Sequence, residues 1–314
     1  MAKALGVGVS PLQVIWPASH SSPGVAPARL LPRTRGAVTR NPCSSRLRSG
    51  MALAAAGAAG FRRRHEGNRR SHLAAGPDVV DVEDLSVPEG GGDIVQAVLD
   101  RVARDGVPLL EQRMEYVPEP ENSPLRACGL PALQAGGAPR LVAALRAAGV
   151  GPDRAEVGAG ILCLMLRGVD EAHNLITPHS WPSPTTYGGQ PKHNSEVRRE
   201  AAYCHVIVHR MEGTHRGEYG TGFHNSNYWI GSALGGAQHP IFEELRASAA
   251  ELAEGSSDAK AALRAMGPKW DPRSFNRTCE EALLTEDEEL TAFCAAVQAK
   301  ELRLLFDHTT LRLV

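Results

Sequence analysis

The chain of 314 residues carries 34 Lys and Arg against 35 Asp and Glu, a formal net charge of −1 with neutral histidine, but the charges are unevenly distributed. Residues 1–75 hold twelve of the basic residues and one acidic residue, Glu66, so residues 76–314 keep 22 basic and 34 acidic residues and a formal net charge of −12. This acidity excludes a general binder of nucleic-acid backbones, which needs clustered Lys and Arg, and no apolar run reaches the roughly 20 residues that span a bilayer. We therefore expect neither a nucleic-acid partner nor a membrane span.

Residues 1–75 have the composition of a disordered basic leader. The segment is rich in Arg, Ser and Ala, includes the run Arg62-Arg63-Arg64, and is nearly free of acidic residues, as is typical of organelle transit peptides. The Met-Ala start and the Ser and Pro content favour a plastid over a mitochondrion, and a start at Met51 or later would give a cytoplasmic protein. A basic tail without an import role is the alternative. The folded region is predicted to occupy residues 76–314.

The cysteine pattern excludes a disulfide framework and a structural zinc knuckle. No C-x-x-C pair occurs, and residues 76–314 hold an odd number of cysteines. We expect these side chains to be buried thiols.

Helical periodicity dominates from residue 91 onward. A helix is predicted over 93–103, ending at Gly106, and residues 107–137 are predicted to be loop with one short helix. Pro139 opens a helix through Val150, since proline is tolerated in a first helical turn. The next helix runs from about residue 153 or 159 to His173, and because it is apolar nearly all round between 161 and 166, we expect it to be central and buried.

The second half alternates predicted loops with predicted helices. Residues 176–194, rich in Pro and Gly, are predicted to be an ordered loop before a helix over 195–212, which Asn194 or Ser195 would cap and Gly213 would end. A second ordered loop is predicted over 213–236. Four further helices are predicted over 240–254, 257–266, 272–283 and 286–304. The fold class is thus a single all-α domain of seven or eight helices with two long ordered loops.

Eight of the twelve histidines lie between residues 173 and 239. In the helix predicted over 195–212, two neighbouring stripes run along the axis. The first, of apolar residues, belongs in the core: Val197, Ala201, Cys204, Val208 and Met211. The second is displaced by one residue and borders the core: Arg198, Ala202, His205, His209 and Glu212. The β-branched run 206–208 leaves open a strand with His205 and His209 on one face.

His205 and His209, one helical turn apart, are spaced as two metal ligands on a helix would be. The predicted metal ligands are His173, His205, His209 and His239, and the predicted catalytic residues are His205, His209 and Glu212. Imidazole and carboxylate together suit Zn, Fe or Mn. Amide donors and aromatic walls of a pocket are expected from five further residues: Asn225, Asn227, Tyr228, Trp229 and Trp181. Asp170, also assigned to the pocket, is expected to be an additional metal ligand or an outer partner of one.

Two known catalytic motifs are incomplete or missing in this sequence. Asp170-Glu-Ala-His173 imitates a helicase box, but that box requires a phosphate-binding loop with a Gly-Lys pair, and the chain contains no Gly-Lys dipeptide. The metalloprotease pattern H-E-x-x-H does not occur.

Four spaced elements between about residues 165 and 245 form an ordered string. They are Asp170-x-Ala-His173, His205-x-x-x-His209-Arg-x-Glu212-Gly213, Asn225-Ser-Asn-Tyr-Trp229 and His239-Pro240. The string resembles a family of uncharacterised helical proteins from microbes and fungi, and departs from it where residues 214–223 are inserted after Gly213. The resemblance implies no activity or cofactor, but it does imply that these residues act as a group.

The leading hypothesis is a His-lined polar pocket that binds a divalent metal or acts by acid–base chemistry, as in a hydrolase of a small molecule. The alternative is a non-catalytic helical interaction module in which the histidines are structural and hydrogen-bond backbone groups. A third hypothesis is a pH-responsive fold, because histidines titrate between about pH 5 and 8.

Overall fold

The structure, a computed structural model, describes residues 91–111, 123–134, 136–186, 188–217, 219–235 and 238–311. The predicted leader, residues 1–75, lies outside the described residues. The account below concerns the described part of the chain.

The described residues are predominantly helical, which confirms the all-α fold class. The helices are α1 (Gly91–Asp105), α2 (Pro124–Ala127), α3 (Pro131–Gln134), α4 (Gly137–Ala147), α5 (Pro152–Met165), α6 (Val169–Ser180), α7 (Arg198–Glu212), α8 (Gly222–Leu234), α9 (Phe242–Leu252), α10 (Ser257–Met266), α11 (Pro272–Leu284) and α12 (Glu288–Thr309). A two-residue antiparallel hairpin, β1 (Arg216–Gly217) and β2 (Gly220–Thr221), precedes α8. The described residues contain more helices than predicted, for three reasons. One additional short helix forms, one predicted helix is divided in two, and one predicted loop contains a helix.

The helix predicted to run without interruption to His173 is broken between α5 and α6. Arg167 adopts a left-handed conformation with a φ of 72°. Its N–H donates to the Leu164 carbonyl at 3.0 Å, and the Gly168 N–H donates to the Cys163 carbonyl at 2.7 Å. This pair of bonds is a Schellman motif, which usually has glycine at the left-handed position. Because arginine occupies it here, the glycine of the sequence, Gly168, lies one residue after the left-handed position.

The first predicted loop begins later than expected, after Ser180 rather than at residue 176. Pro178 lies in the last turns of α6 and has no N–H to donate to the Asn174 carbonyl four residues earlier. The loop backbone approaches that carbonyl at Gly188, where an added Cβ would lie 2.6 Å from it. The Lys192 N–H then donates to the Pro178 carbonyl at 2.7 Å. The proline is thus accommodated because the loop folds back over it.

The second predicted loop, over 213–236, is wrong for most of its length, because it contains α8. The Thr221 hydroxyl caps this helix by accepting from the His224 N–H at 3.1 Å, and Gly235 ends it with a φ of 52°. Its buried face combines apolar side chains with small or polar ones, which obscured the helical period: Gly222, Phe223, Ser226, Trp229, Ile230 and Ala233. The remaining loop is the short segment that holds the β1–β2 hairpin.

α5 and α7 lie at the centre of the core. Every side chain in the predicted apolar segment 161–166 of α5 is at most 4% exposed, which confirms its predicted burial. α7 packs against α5, α6, α8 and α12. The apolar stripe predicted for α7 is fully buried, and since the segment is a helix the strand alternative was wrong. Neither predicted residue caps it, because α7 starts after Val197, whose N–H lies 3.4 Å from the Ser195 hydroxyl.

The expectation that the cysteines are buried thiols is confirmed within the described residues. The five cysteines there are free and buried: Cys128, Cys163, Cys204, Cys279 and Cys294. No helix in this part of the chain combines the length and apolarity needed to cross a membrane.

Candidate functional site

α6 and α7 bring three buried imidazoles together. His173 on α6 and His205 and His209 on α7 are 7%, 1% and 2% exposed. One ring nitrogen from each lies within 4.8 Å of one from each of the others. We call these residues the three-histidine group. Their convergence follows from two adjacent helix faces, since the spacing of four residues in α7 places His205 and His209 on one side.

The surroundings of His205 define which of its nitrogens carries the hydrogen. The Ser180 hydroxyl donates to the Ile176 carbonyl one turn earlier at 2.9 Å, and its oxygen lies 2.8 Å from His205 Nδ1. Because a hydroxyl has a single hydrogen, Ser180 accepts a hydrogen bond from Nδ1–H of His205. This tautomer makes Nε2 of His205 the nitrogen with the lone pair.

A carboxylate orients His209 in the same way. Glu212 Oε2 lies 2.7 Å from His209 Nδ1, three residues along α7. An ionised carboxylate only accepts hydrogen bonds, so Nδ1 carries the hydrogen and Nε2 the lone pair. The Asn225 amide nitrogen on α8 lies 3.2 Å from that Nε2. Outer carboxylate partners of this kind accompany metal-bound histidines and raise their basicity.

Thr177 lies between His173 and His205. Its hydroxyl donates to the His173 carbonyl at 2.6 Å, and its oxygen lies 3.4 Å from His173 Nδ1 and from His205 Nε2. With the hydrogen of His205 on Nδ1, the contact with Nε2 is not a hydrogen bond. Neither Thr177 nor Ser180 was predicted to belong to the site. Both follow His173 on the same face of α6, but they were assigned to a loop, where that spacing has no meaning.

Two tryptophans from different elements border the group. Trp229 on α8 stacks on His205 with ring centroids 4.0 Å apart and planes 7° apart. Trp181, the first residue of the loop after α6, meets Trp229 edge-on at 5.8 Å and is half-buried. Both were predicted as pocket residues; the structure places Trp229 against His205 and Trp181 against Trp229.

The other predicted pocket residues divide between the site and its periphery. Asn225 contacts His209, as described, and Asp170 is buried in the first turn of α6, three residues before His173. Tyr228 is 57% exposed and touches the far edge of Trp229. Asn227 accepts a hydrogen bond from Asn276 of α11 at 3.1 Å, so it joins α8 to α11.

His239 does not join the three-histidine group. It precedes α9 and forms a second group with Glu200 of α7 and His308 of α12, whose ligand atoms also lie within 4.8 Å of one another. The expected set of four histidines is therefore split, because the position of His239 depends on how α9 and α12 pack. No local spacing encodes that packing.

A buried ion pair links α7 to α12. This ion pair was not predicted from the sequence. Arg210, fully buried, contacts both Glu301 carboxylate oxygens on α12 and donates through Nε to Asn276 at 2.7 Å. Tyr203 donates to the same carboxylate. Burial opposes the charged form of Arg210, but the Glu301 carboxylate outweighs it and raises the pKa of the guanidinium. The feature of the sequence that could have indicated this ion pair is an arginine inside an apolar helical segment.

Comparisons with protein-family models, with curated proteins and with solved structures find no match for this chain. The functional conclusion therefore depends on the geometry of the site.

Proposed function

We propose that the three-histidine group binds a divalent metal ion and that the site activates water to hydrolyse a small molecule. The supporting observation is that three buried ring nitrogens lie within 4.8 Å of one another while hydrogen bonds fix the tautomers of two of the rings. A site with three protein ligands leaves a coordination position for water, as in catalytic zinc centres.

The donor set narrows the choice of metal. Three neutral imidazoles suit Zn²⁺ or Fe²⁺ better than Mn²⁺, which prefers carboxylate and other oxygen ligands. Zinc–nitrogen bonds of about 2.0–2.1 Å in a tetrahedral site separate ligand nitrogens by about 3.3 Å. The nitrogens, at up to 4.8 Å, must therefore move closer together when the ion binds. The proposal requires that this movement come from rotation of the rings.

The neighbouring side chains have separate roles in this proposal. When bound, the metal lowers the pKa of its water to about 7 and so supplies hydroxide at neutral pH. Glu212 holds the hydrogen of His209 on Nδ1. Asn225, half-buried beside His209 Nε2, is an amide donor for a substrate oxygen, and Trp181 forms an apolar wall. The partial exposure of Asn225 and Trp181 provides the route from solvent.

Metal content of the full chain tests the proposal. We expect about one equivalent of Zn²⁺ or Fe²⁺ at the three-histidine group, and its loss in the His205→Ala/His209→Ala double variant. The matched control is His193→Ala/His215→Ala, which removes two exposed imidazoles. Elemental analysis after dialysis against trace metal gives the stoichiometry, and circular dichroism monitors folding. The single variant His209→Asn, which keeps His205 stacked on Trp229, serves if the double variant unfolds.

The alternative function, a non-catalytic helical module, is favoured by the protein hydrogen bonds that His205 and His209 already make. It predicts that the double variant loses thermal stability while its metal content equals that of the wild type. Equal metal content in the double variant and the wild type would overturn the metal proposal.

A further inference from the structure

A second cluster of metal-ligating side chains lies on a different face of α7. Glu200 precedes His205 by five residues, which corresponds to a rotation of about 140° around the helix axis. Glu200 Oε1 lies 3.3 Å from His308 Nε2 near the end of α12. The His239 ring meets the His308 ring at 5.3 Å with an interplanar angle of 74°. Ligand atoms of the three residues lie within 4.8 Å of one another.

His239 is held rigidly and has an unsatisfied nitrogen. The ring is 2% exposed and lies between Tyr203, stacked at 5.1 Å, and Phe242, at 5.8 Å. Its Nδ1 is 3.4 Å from the Ile241 N–H, a long hydrogen bond. Its Nε2 is buried and has no hydrogen-bond partner among the described residues. A buried polar atom in this state calls for a ligand or an ordered water, since nearly all such atoms are satisfied.

The protonation state of His239 suits a metal ligand. Burial, then the neighbouring His308 and then Arg199 lower the pKa of His239 to about 3. The ring is therefore neutral at pH 7, which is the form that binds metal ions. Arg199 opposes a nearby cation by its charge, while the Glu200 carboxylate favours one. The Arg199 guanidinium is hydrogen-bonded to the carbonyl of Gln238, the residue before His239, so its charge stays near the site and is offset there by the Glu200 carboxylate.

We propose that Glu200, His239 and His308 bind a divalent transition-metal ion, Zn²⁺ or Fe²⁺, through one carboxylate and two imidazoles. This donor set is found both in zinc hydrolases and in non-haem iron sites. Binding at Nε2 of His239 requires the ring hydrogen to lie on Nδ1, and the long hydrogen bond from the Ile241 N–H to Nδ1 is then lost. The ion connects α7 with the start of α9 and the end of α12. Partial exposure of His308, at 33% of its side chain, leaves a way in from solvent.

An ion pair alone does not explain the cluster. Glu200 and His308 satisfy each other in such a pair, but His239 Nε2 keeps no partner. A cation shared by all three residues satisfies every ligand atom. The site does not depend on the proposed function, because it uses none of the residues of the three-histidine group.

Zinc stoichiometry of the full chain, measured by elemental analysis and by isothermal titration, tests this second site. Wild type is expected to bind about two ions, and the Glu200→Gln/His308→Gln variant and the His205→Ala/His209→Ala variant about one each. Glu244→Gln is the matched control, because Glu244 forms an exposed pair with Lys300 on α12 and is expected to leave the stoichiometry unchanged. The single variant His308→Gln, monitored by circular dichroism, serves if the double variant unfolds.

The outcomes separate the two proposals. If Glu200→Gln/His308→Gln binds as many ions as wild type, the second site is overturned whatever the three-histidine group does. If that variant loses one ion while His205→Ala/His209→Ala loses none, the second site stands and the proposed function fails. Loss of one ion in each variant supports both.

Discussion

Within the three-histidine group, the His209 ring contacts a carboxylate. Its Nδ1 lies 2.7 Å from the Glu212 carboxylate, and its other nitrogen faces the Asn225 amide at 3.2 Å. Glu212 belongs to the same helix, so the carboxylate and the ring keep their relation as long as α7 is formed. The pair was predictable from the sequence because a spacing of three residues places two side chains on one helix face.

Replacing Glu212 tests this role at the level of one residue. Glu212→Gln keeps an oxygen to accept from Nδ1–H but removes the negative charge of the outer partner. Loss of an outer partner of this kind typically weakens metal binding by about 10- to 100-fold. A competition titration with a chromophoric chelator measures the affinity.

Glu251→Gln is the control for Glu212→Gln, because Glu251 is exposed on α9. Equal zinc affinities for Glu212→Gln and the control would show that Glu212 does not support a metal ligand.

At the scale of elements, the site depends on the close approach of α8 to the end of α7. A Cβ added at Gly222 would lie 2.4 Å from the His209 carbonyl oxygen and 2.6 Å from the Glu212 Cβ. Only glycine permits this contact, and it brings Asn225 and Trp229 over the histidines. α8 was missed in the sequence because its glycines and asparagines are typical of loops.

Two glycine substitutions on α8 are expected to have opposite effects on stability. Gly222→Ala forces backbone atoms apart and is expected to destabilise the fold by about 1–3 kcal/mol. Gly231→Ala, in the interior of the same helix, meets only the end of the flexible Arg273 side chain at 3.4 Å. It is expected to stabilise the fold by about 0.5–1 kcal/mol, because alanine favours helix. Urea denaturation measures both, and a stability of Gly222→Ala equal to or above the wild type would contradict the packing described.

The loop between α6 and α7 is fixed by a buried polar cluster. Glu156 of α5 contacts His179 Nε2 at 2.9 Å and Lys192 Nζ at 2.6 Å, and His179 Nδ1 lies 2.7 Å from the Ser195 hydroxyl. Both ends of the loop are thereby attached to α5 and α6. This attachment positions Trp181 against Trp229.

The pH dependence of stability is expected to report on Glu156. Burial by itself would raise the pKa of Glu156, but the hydrogen bonds from His179 and Lys192 outweigh it and lower the pKa from 4.5 to about 2. The folded-state pKa is below the unfolded one, so this contribution is present above pH 4.5 and is lost as the pH falls towards 2. Allowing for partial exposure, it amounts to about 1–2 kcal/mol.

Urea denaturation at neutral pH and at about pH 3 measures this contribution. Glu156→Gln should be less stable than wild type at neutral pH, and the difference should shrink at the lower pH. Glu254→Gln, which breaks an exposed pair with Lys260, is the control and should change stability little at either pH. A constant difference between Glu156→Gln and wild type across this range would contradict the assignment.

At the scale of the whole molecule, the Arg210–Glu301 pair joins the central helix α7 to α12. Both side chains are fully buried, and Asn276 and Tyr203 complete their hydrogen bonds. Removing one partner leaves an uncompensated buried charge, so Arg210→Met is expected to destabilise the fold by about 3–5 kcal/mol. Chemical denaturation of the variant measures this loss.

Arg303→Met is the matched control for Arg210→Met. Arg303 forms a mostly exposed pair with Asp307 on α12, so its loss should cost about 0.5 kcal/mol or less. Similar losses for the two variants would show that the buried pair is not a principal link between α7 and α12.

The parts of the fold that the sequence predicted are those encoded locally. The burial of 161–166 followed from continuous apolarity, and the two stripes of α7 followed from helical spacing. The break at Arg167 was missed, because arginine occupies the left-handed position and the glycine follows one residue later. Pro178 was read as a helix breaker, although the loop folds back to cover it.

The sequence predicted part of the grouping of the candidate site's side chains and missed the rest. The grouping of His205 with His209 needed only the geometry of one helix, whereas the approach of His173 depends on the packing of α6 against α7. To predict where His239 lies, one needs to know how α9 and α12 pack. To predict that Thr177 and Ser180 belong to the site, one needs to know that α6 continues to residue 180. The second group of Glu200, His239 and His308 draws on residues more than 100 positions apart, beyond the reach of periodicity.

Zinc X-ray absorption on the Glu200→Gln/His308→Gln variant tests metal binding by the three-histidine group most directly, because this variant retains that group alone. We predict three imidazole nitrogens at about 2.0–2.1 Å from the zinc, with the outer-shell scattering of imidazole rings and one further light ligand. The His205→Ala/His209→Ala change added to the same variant should abolish the signal. A spectrum of oxygen ligands alone, or a protein that retains no zinc, would contradict the assignment of this site.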